Sequence, residues 1–169
     1  MNTNKYTQKT LEAVQDAQSI AQQNGNVELT TLHVLHGLLS DEEGFVTQVL
    51  TSSGADVNGL LDEVTRQIER LPKMSGNAQV YLSAEANNVL NAAEAKADEM
   101  KDEYVSVEHV MMAVFEKGKS VAETLAHYGA NKDKFMASLA KARGNVRVTS
   151  DNPEATFDSL NKYATDLVE

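Results

Sequence analysis

Cysteine and tryptophan are both absent from the sequence. Without cysteine, the chain can form neither a disulfide nor a thiolate metal site. The N-terminal residues are polar and lack the apolar run of a signal peptide. No apolar stretch approaches the length that a membrane-spanning helix needs. We therefore expect a cytoplasmic protein.

Aromatic residues make up only 5% of the chain, and positive charge is also scarce. A core with few aromatics must be built from alanine, leucine, valine and methionine, which suits closely packed helices. The 15 lysine and arginine residues face 25 aspartate and glutamate residues, giving a formal net charge of −10 without a basic stripe. Such a surface repels phosphate backbones and anionic lipids, so we expect no nucleic acid and no membrane partner.

The sequence repeats itself when it is shifted by 76 residues. After the loop 41–44 the shift becomes 75, and the lost residue falls in a loop, where deletions are tolerated. The clearest matches are Thr7 with Ser83, Ala17 with Ala93, His33 with His109, and Gly54 with Gly129. The alignment predicts two related repeats, the first over about 4–71 and the second over about 82–143.

Each repeat has the pattern of four helices, because apolar residues recur at spacings of three and four. Thr7 and Ser83 are placed to cap the first helix of each repeat. Gly54 suits the left-handed position after the third helix. Ser120 and Glu123 fit a capping box for the third helix of the second repeat.

The expected fold is all-α, with two pseudo-twofold-related four-helix repeats, eight helices in total, forming one compact domain over 1–143. Residues 80–82 are apolar but too few to indicate a sheet. From Gly144 the chain is polar and loses helical periodicity, which predicts a linker over 144–169. A short amphipathic helix within it would carry Phe157, Leu160, Tyr163, Ala164 and Leu167.

The second helix of each repeat starts with a related motif, TLHVLHGLL in the first repeat and SVEHVMMAV in the second. This duplicated pattern resembles the Clp N-domain. The joining segment LPKMSGNAQVYLS, the stretch DEYVSVEH and the tail NVRVTSDNPEATFDSLNKYATDLVE are similar to the ClpB branch of that family. The resemblance covers essentially the whole chain and points to the N-terminal domain of a ClpB-type AAA+ disaggregase.

The resemblance implies a binding domain without catalytic machinery. Full-length members of the family are homohexameric ATPases that use ATP and magnesium to thread aggregated polypeptide through a central pore. They cooperate with the DnaK chaperone through a middle domain that lies outside this sequence. Their N-domain captures exposed hydrophobic segments of unfolded or aggregated proteins. We therefore expect a monomeric, non-enzymatic domain without a cofactor, which 144–169 would link to a first ATPase module.

The resemblance also implies substrate-binding residues, namely Thr7, Leu90, Asp102, Glu103, Glu108 and His109. Leu90 stands where the family has an apolar residue on the substrate groove. Asp102, or Glu103 if the loop shifts by one, matches an acidic residue before the sixth helix, and Glu108 matches one at its start. His109 stands where leucine is frequent, so we expect a less apolar groove. The ClpC branch binds phosphoarginine through a glutamate in each repeat, but the first-repeat position holds Leu32, which argues against a paired site.

Three local motifs have ordinary structural interpretations. Residues 118–120 read Gly-Lys-Ser but lack the strand and the first glycine of a phosphate-binding loop, which favours a helix–helix turn. His33 and His36 are three residues apart, and without a clear third metal ligand they favour a structural role. The acidic residues at 41–43 indicate a solvated turn, because no second carboxylate is fixed opposite them.

Three functions remain open at this point. The leading hypothesis is a module that captures unfolded polypeptide in a shallow apolar groove. The alternative is an adaptor-docking or regulatory N-domain of a Clp protease ATPase subunit, which would bind a folded protein. The third is a nucleotide-hydrolysing enzyme, for which the sequence offers no complete motif.

Overall fold

The computed structural model describes residues 3–74 and 79–144. The predicted amphipathic helix, and the linker apart from Gly144, lie outside the described residues. The first repeat contains α1 (Gln8–Gln23), β1 (Glu28–Leu29), α2 (Thr31–Leu39), α3 (Phe45–Ser52) and α4 (Val57–Glu69). The second contains β2 (Tyr81–Leu82), α5 (Ala84–Glu99), α6 (Val107–Lys117), α7 (Ala122–His127) and α8 (Lys132–Arg143). Short 3-10 turns lie at Thr3–Lys5 and Lys119–Val121. Eight helices within the described residues confirm the predicted all-α fold.

Most helix ends lie where the sequence predicts them. Thr7 Oγ1 accepts a hydrogen bond from the Thr10 amide at 3.2 Å, and Ser83 Oγ accepts one from the Ala86 amide at 3.1 Å. Gly54 has φ +100°, a value that side-chain-bearing residues rarely adopt, so glycine is required after α3. These contacts confirm the predicted caps at the start of α1 and α5.

The predicted capping box at Ser120 is wrong. Ser120 lies in the 3-10 turn, and α7 begins only at Ala122. The Ser120 hydroxyl instead donates to Glu85 Oε1 on α5 at 2.5 Å. A carboxylate is a stronger acceptor than a neutral group, so this distant contact replaces the local cap. The interpretation of 118–120 as a helix–helix turn is confirmed.

The expectation that the chain forms no sheet is wrong at one place. β1 and β2 pair in parallel, with Glu28 opposite Tyr81 and Leu29 opposite Leu82. The Tyr81 amide donates to the Val27 carbonyl at 2.8 Å. Strands of two residues carry no readable alternation, so the sequence pattern cannot reveal them.

A second backbone bridge joins Tyr6 to Val105. The shift of 76 residues places Tyr6 on Leu82 and Val105 on Leu29, so this bridge is the repeat counterpart of the pair between β1 and β2. Each bridge connects the segment before the first helix of one repeat to the loop before the second helix of the other. The two repeats are therefore joined reciprocally, as a pseudo-twofold relation requires.

The hydrophobic core is shared by the two repeats. The third helix of the first repeat, α3, packs against the fourth helix of the second repeat, α8. In the same way, α7 packs against α4. α1 and α2 approach so closely that a Cβ added to Gly37 would lie 2.1 Å from the Ala13 carbonyl oxygen. The largest fully buried apolar side chains are Leu35, Leu39, Leu50, Leu60, Ile68, Leu90, Met111, Met112 and Phe135. Neither repeat keeps a separate interior.

Candidate functional site

The residues implied as substrate-binding lie before α1, in α5, in the loop between α5 and α6, and at the start of α6. Five of the six residues are buried, with exposed fractions of 0% for Thr7, 1% for Leu90, 5% for Asp102, 0% for Glu108 and 0% for His109. Glu103 alone is exposed. The structure does bring Thr7 to this loop, because its amide donates to the Val105 carbonyl at 3.0 Å.

The placement of Leu90 on an open groove needs correction. Leu90 lies on the face of α5 that also carries Val89, Ala93 and Ala97, and all four side chains belong to the core. A helical stripe of apolar residues shows which face is covered but not whether protein or substrate covers it. In this structure the covering is the protein itself.

Asp102, Glu108 and Arg143 form a buried ionic cluster that joins the end of α8 to the α5–α6 loop. Arg143 Nη2 donates to Asp102 Oδ1 at 2.8 Å, and Arg143 Nη1 lies 3.6 Å from Glu108 Oε2. The Ser106 hydroxyl donates to Glu108 Oε1. Sequence reasoning missed Arg143, although its spacing of four residues from buried Leu139 places it on the inward face of α8.

The first repeat has a neutral version of the same cluster. The repeat alignment places Asp102 on Asn26, Glu108 on Leu32 and Arg143 on Ile68. All three first-repeat residues are buried or nearly so, with exposed fractions of 5%, 9% and 1%. The first repeat thus holds an amide and two aliphatic side chains where the second repeat holds the charged set. Asp102 and Glu108 are thus enclosed by the fold, and a direct substrate contact would require the loop to open.

Each repeat also places a buried histidine at the start of its second helix. His33 Nδ1 accepts from the Thr30 amide at 2.8 Å, and His109 Nδ1 accepts from the Ser106 amide at 2.9 Å. A backbone amide can only donate, so the ring proton lies on Nε2 in both residues. Nε2–H of His33 then donates to Asn26 Oδ1 at 2.9 Å. These bonds confirm the predicted structural role of His33.

His33 is expected to make folding stability depend on pH. Burial, with a smaller contribution from His36, lowers the pKa of His33 to about 4 from its usual 6.5. Below pH 6.5 the unfolded chain therefore binds a proton that the folded chain does not, so this stabilisation is complete above pH 6.5 and falls until about pH 4. The loss is about 3 kcal/mol, which urea unfolding at about pH 7 and about pH 4.5 would largely capture.

The matched control for this prediction is His33→Gln. Glutamine is accepted at this position of a helix start and does not titrate. We expect the variant to lose less stability between the two pH values than the original chain. An equal loss in both chains would show that other groups cause the pH dependence.

The large apolar side chains that stay exposed in the described residues all lie between the end of α4 and the start of α5. Their exposed fractions are 56% for Met74, 64% for Tyr81 and 38% for Leu82. The Met74 amide donates to the Gly25 carbonyl at 2.8 Å, and the Tyr81 amide donates to the Val27 carbonyl at 2.8 Å. Met74 and Tyr81 therefore both lie beside the same short stretch of backbone, residues 25–27. We call Met74, Tyr81 and Leu82 the connector ridge.

Among residues 3–74 and 79–144, no group of three or more His, Cys, Asp or Glu side chains is placed to hold a metal ion. No helix in that part of the chain is long and apolar enough to span a bilayer.

Known proteins share this sequence pattern and fold. The chain is 34% identical over 172 residues to the chaperone protein ClpB of Bacillus anthracis, and the alignment covers 99% of this chain. It is 38% identical over 172 residues to ClpB of Corynebacterium efficiens, covering 100% of this chain. Each alignment covers 20% of the relative, so the chain spans about a fifth of the length of these proteins.

Solved structures match the helical arrangement. The Hsp104 N-terminal domain from Candida albicans aligns with a TM-score of 0.79 and 21% identity, covering 88% of this chain and 98% of that domain. The N-domain of ClpV from Vibrio cholerae aligns with a TM-score of 0.66 and 18% identity, covering 82% and 84%. Residues 5–128 match the family described as the Clp repeat (R) N-terminal domain. The duplicated motif, the shared fold and this family match together show that the chain belongs to the Clp N-domain family, in the form found in ClpB-type AAA+ chaperones.

Proposed function

We propose that this chain is the substrate-receiving domain of an ATP-dependent protein disaggregase and that the connector ridge contacts exposed apolar segments of unfolded or aggregated polypeptides. The observation that carries the proposal is the confinement of large exposed apolar side chains to Met74, Tyr81 and Leu82 within the described residues. Clustered apolar residues that remain in water mark interaction sites. A ClpV N-domain of this fold has been solved in complex with a VipB peptide, which supports peptide recognition by such domains.

The chemistry of the ridge suits partners of varied sequence. Successive strand residues point to opposite sides, so Tyr81 and Leu82 offer apolar contacts on both faces of β2. Tyrosine adds a polar tip to an apolar ring, and methionine adapts its shape to irregular neighbours. A ridge makes fewer contacts than an enclosed groove, so binding should be weak and reversible. That property suits a domain that must release its substrate.

The proposal extends to the longer protein. There, 144–169 would lead to a first ATPase module, and captured segments would pass to the pore of a homohexamer driven by ATP and magnesium. The DnaK system would deliver or share substrates in the cytoplasm. This chain would contribute binding and no catalysis. The fivefold greater length of the ClpB relatives supports such an arrangement.

Titration of the chain with a fluorescently labelled, permanently unfolded protein tests this proposal. We expect Tyr81→Ser and Leu82→Ser each to weaken the affinity by about tenfold, because each removes apolar area worth roughly 1–2 kcal/mol when buried. Both residues are exposed, so circular dichroism should show an unchanged fold.

The control is Tyr104→Ser, which removes a half-buried tyrosine from the α5–α6 loop beside Glu103. The proposal predicts unchanged affinity for this variant. If Tyr104→Ser weakens binding while Tyr81→Ser does not, the site lies in the loop that the family resemblance implies, and the ridge assignment is wrong. Binding of a folded adaptor in place of the unfolded protein would favour the alternative function.

A further inference from the structure

A cavity of about 250 Å³ lies between α1, α2 and α3, and none of the connector-ridge residues line it. Its buried apolar lining forms a floor that includes Leu38, Phe45, Val46 and Val107. Its exposed charged lining forms a rim of Lys9, Glu12, Asp41 and Glu43. Lys9 Nζ lies 3.7 Å from Glu12 Oε2 and 3.9 Å from Asp41 Oδ2, so the rim holds this ammonium only loosely.

In the second repeat, the residue that corresponds to Lys9 is held by hydrogen bonds within the protein. The repeat alignment places Lys9 on Glu85, and Glu85 Oε1 accepts from Thr31 Oγ1 at 2.5 Å and from Ser120 Oγ at 2.5 Å. Glu85 Oε2 accepts from the Ser120 amide at 3.2 Å. Burial favours a raised pKa for Glu85, but these bonds outweigh it and hold the pKa below its usual value. In the second repeat, the fold thus holds the charged side chain of Glu85 at this position.

The charges at and around Glu85 are the reverse of those at and around Lys9. The second-repeat loop carries Lys117 and Lys119, and Lys119 helps to lower the pKa of Glu85. The first-repeat loop 41–44 carries three acidic residues, of which Asp41 lies 3.9 Å from the Lys9 ammonium. Thr31, which fixes Glu85, aligns with Val107, which has no hydroxyl to offer. The first-repeat position therefore has the negative charge that a cation requires. It lacks the hydrogen bonds that would hold the protein's own Lys9 in place.

We propose that the cavity between α1, α2 and α3 binds a lysine or arginine side chain of a partner polypeptide. The aliphatic stem would lie on the apolar floor, and the charged end would reach Asp41 and Glu43 in place of Lys9. The formal net charge of −10 favours the approach of basic segments. This site does not depend on the connector ridge, and its occupant differs in chemistry from the apolar segments assigned to the ridge.

The probe is an acetylated and amidated pentapeptide with arginine between alanines, compared with the same peptide carrying citrulline. Citrulline keeps the shape of arginine but removes its charge. We expect the arginine peptide to shift backbone amide resonances of loop 41–44 and the start of α3 in an isotope-labelled chain. The citrulline peptide should bind about two- to fivefold more weakly, as loss of a surface ion pair predicts.

Two variants give opposite expected effects. Lys9→Met removes the competing ammonium and should tighten arginine-peptide binding by about threefold, whereas Asp41→Asn with Glu43→Gln should weaken it by at least about fivefold. Glu85→Gln, the matched change in the second repeat, should leave the affinity unchanged. Equal binding of the two peptides, or weaker binding by Lys9→Met, would overturn the inference. Resonance shifts confined to the ridge would also overturn it while leaving the ridge proposal intact.

Discussion

Replacing Arg143 with isoleucine is expected to lower the free energy of unfolding by about 3–5 kcal/mol. The guanidinium is the cation that contacts both Asp102 and Glu108, which are 5% and 0% exposed. Its removal leaves two carboxylates buried without this partner, and an uncompensated buried charge costs more than the intact pair contributes. Urea unfolding followed by circular dichroism measures the change.

The first repeat supplies the rescue for this variant. Asp102→Asn and Glu108→Leu, added to Arg143→Ile, reproduce the neutral set of Asn26, Leu32 and Ile68. We expect the triple variant to recover most of the lost stability, because a buried ionic cluster can be replaced by apolar groups at little cost. Lys141→Ile, an exposed change on the same helix, should alter stability by less than about 0.5 kcal/mol. A triple variant less stable than Arg143→Ile would contradict this explanation of the cluster.

Leu90→Ser is expected to destabilise the domain by about 4 kcal/mol. The change removes a side chain that is 1% exposed, leaves a cavity in the shared core and buries a hydroxyl. Any loss of polypeptide binding by this variant should follow the fraction of unfolded chains. Leu82→Ser, on the ridge, should cost less than about 1 kcal/mol while weakening binding directly.

The comparison of these two leucine variants separates a core residue from a contact residue. Unfolding curves and binding titrations on the same samples provide both quantities. A Leu90→Ser variant that remains as stable as the original chain but loses binding would place Leu90 on the substrate surface. The groove implied by the family resemblance would then be right, and the closed core would not be the binding state.

Local signals in the sequence were sufficient for much of the fold. Helix periodicity, the caps at Thr7 and Ser83 and the internal shift of 76 residues predict eight helices in two repeats, and the structure has them. These features depend on residues close together in the chain, where spacing alone carries the information. The structural role of His33 was also predictable, because His109 repeats it at the same place.

The remaining features depend on contacts between distant residues. The bond from Ser120 to Glu85 spans 35 positions, and it displaces the capping box that the local pattern favours. The pairing of β1 with β2 and the ion pair of Arg143 with Asp102 are also long-range. The periodicity of α5 shows that Leu90 faces inward but cannot distinguish a core from a groove. The site residues implied from the sequence are therefore mostly buried, and the exposed residues of the connector ridge were not among them.

A functional defect in a variant of the α5–α6 loop can result from a loss of stability. Thr7, Asp102 and Glu108 each make buried contacts that hold the loop in place. Substitution of any of them would weaken the fold whether or not substrate touches the loop. Binding measurements on such variants need a parallel unfolding curve before a contact role is assigned.

Resonance mapping of the isotope-labelled chain with an unfolded polypeptide tests the central claim most directly. We predict that the largest amide shifts fall on Met74, on Tyr81 and Leu82, and on the adjoining stretch 25–29. Shifts confined to the α5–α6 loop around Glu103, with the ridge unchanged, would contradict the account.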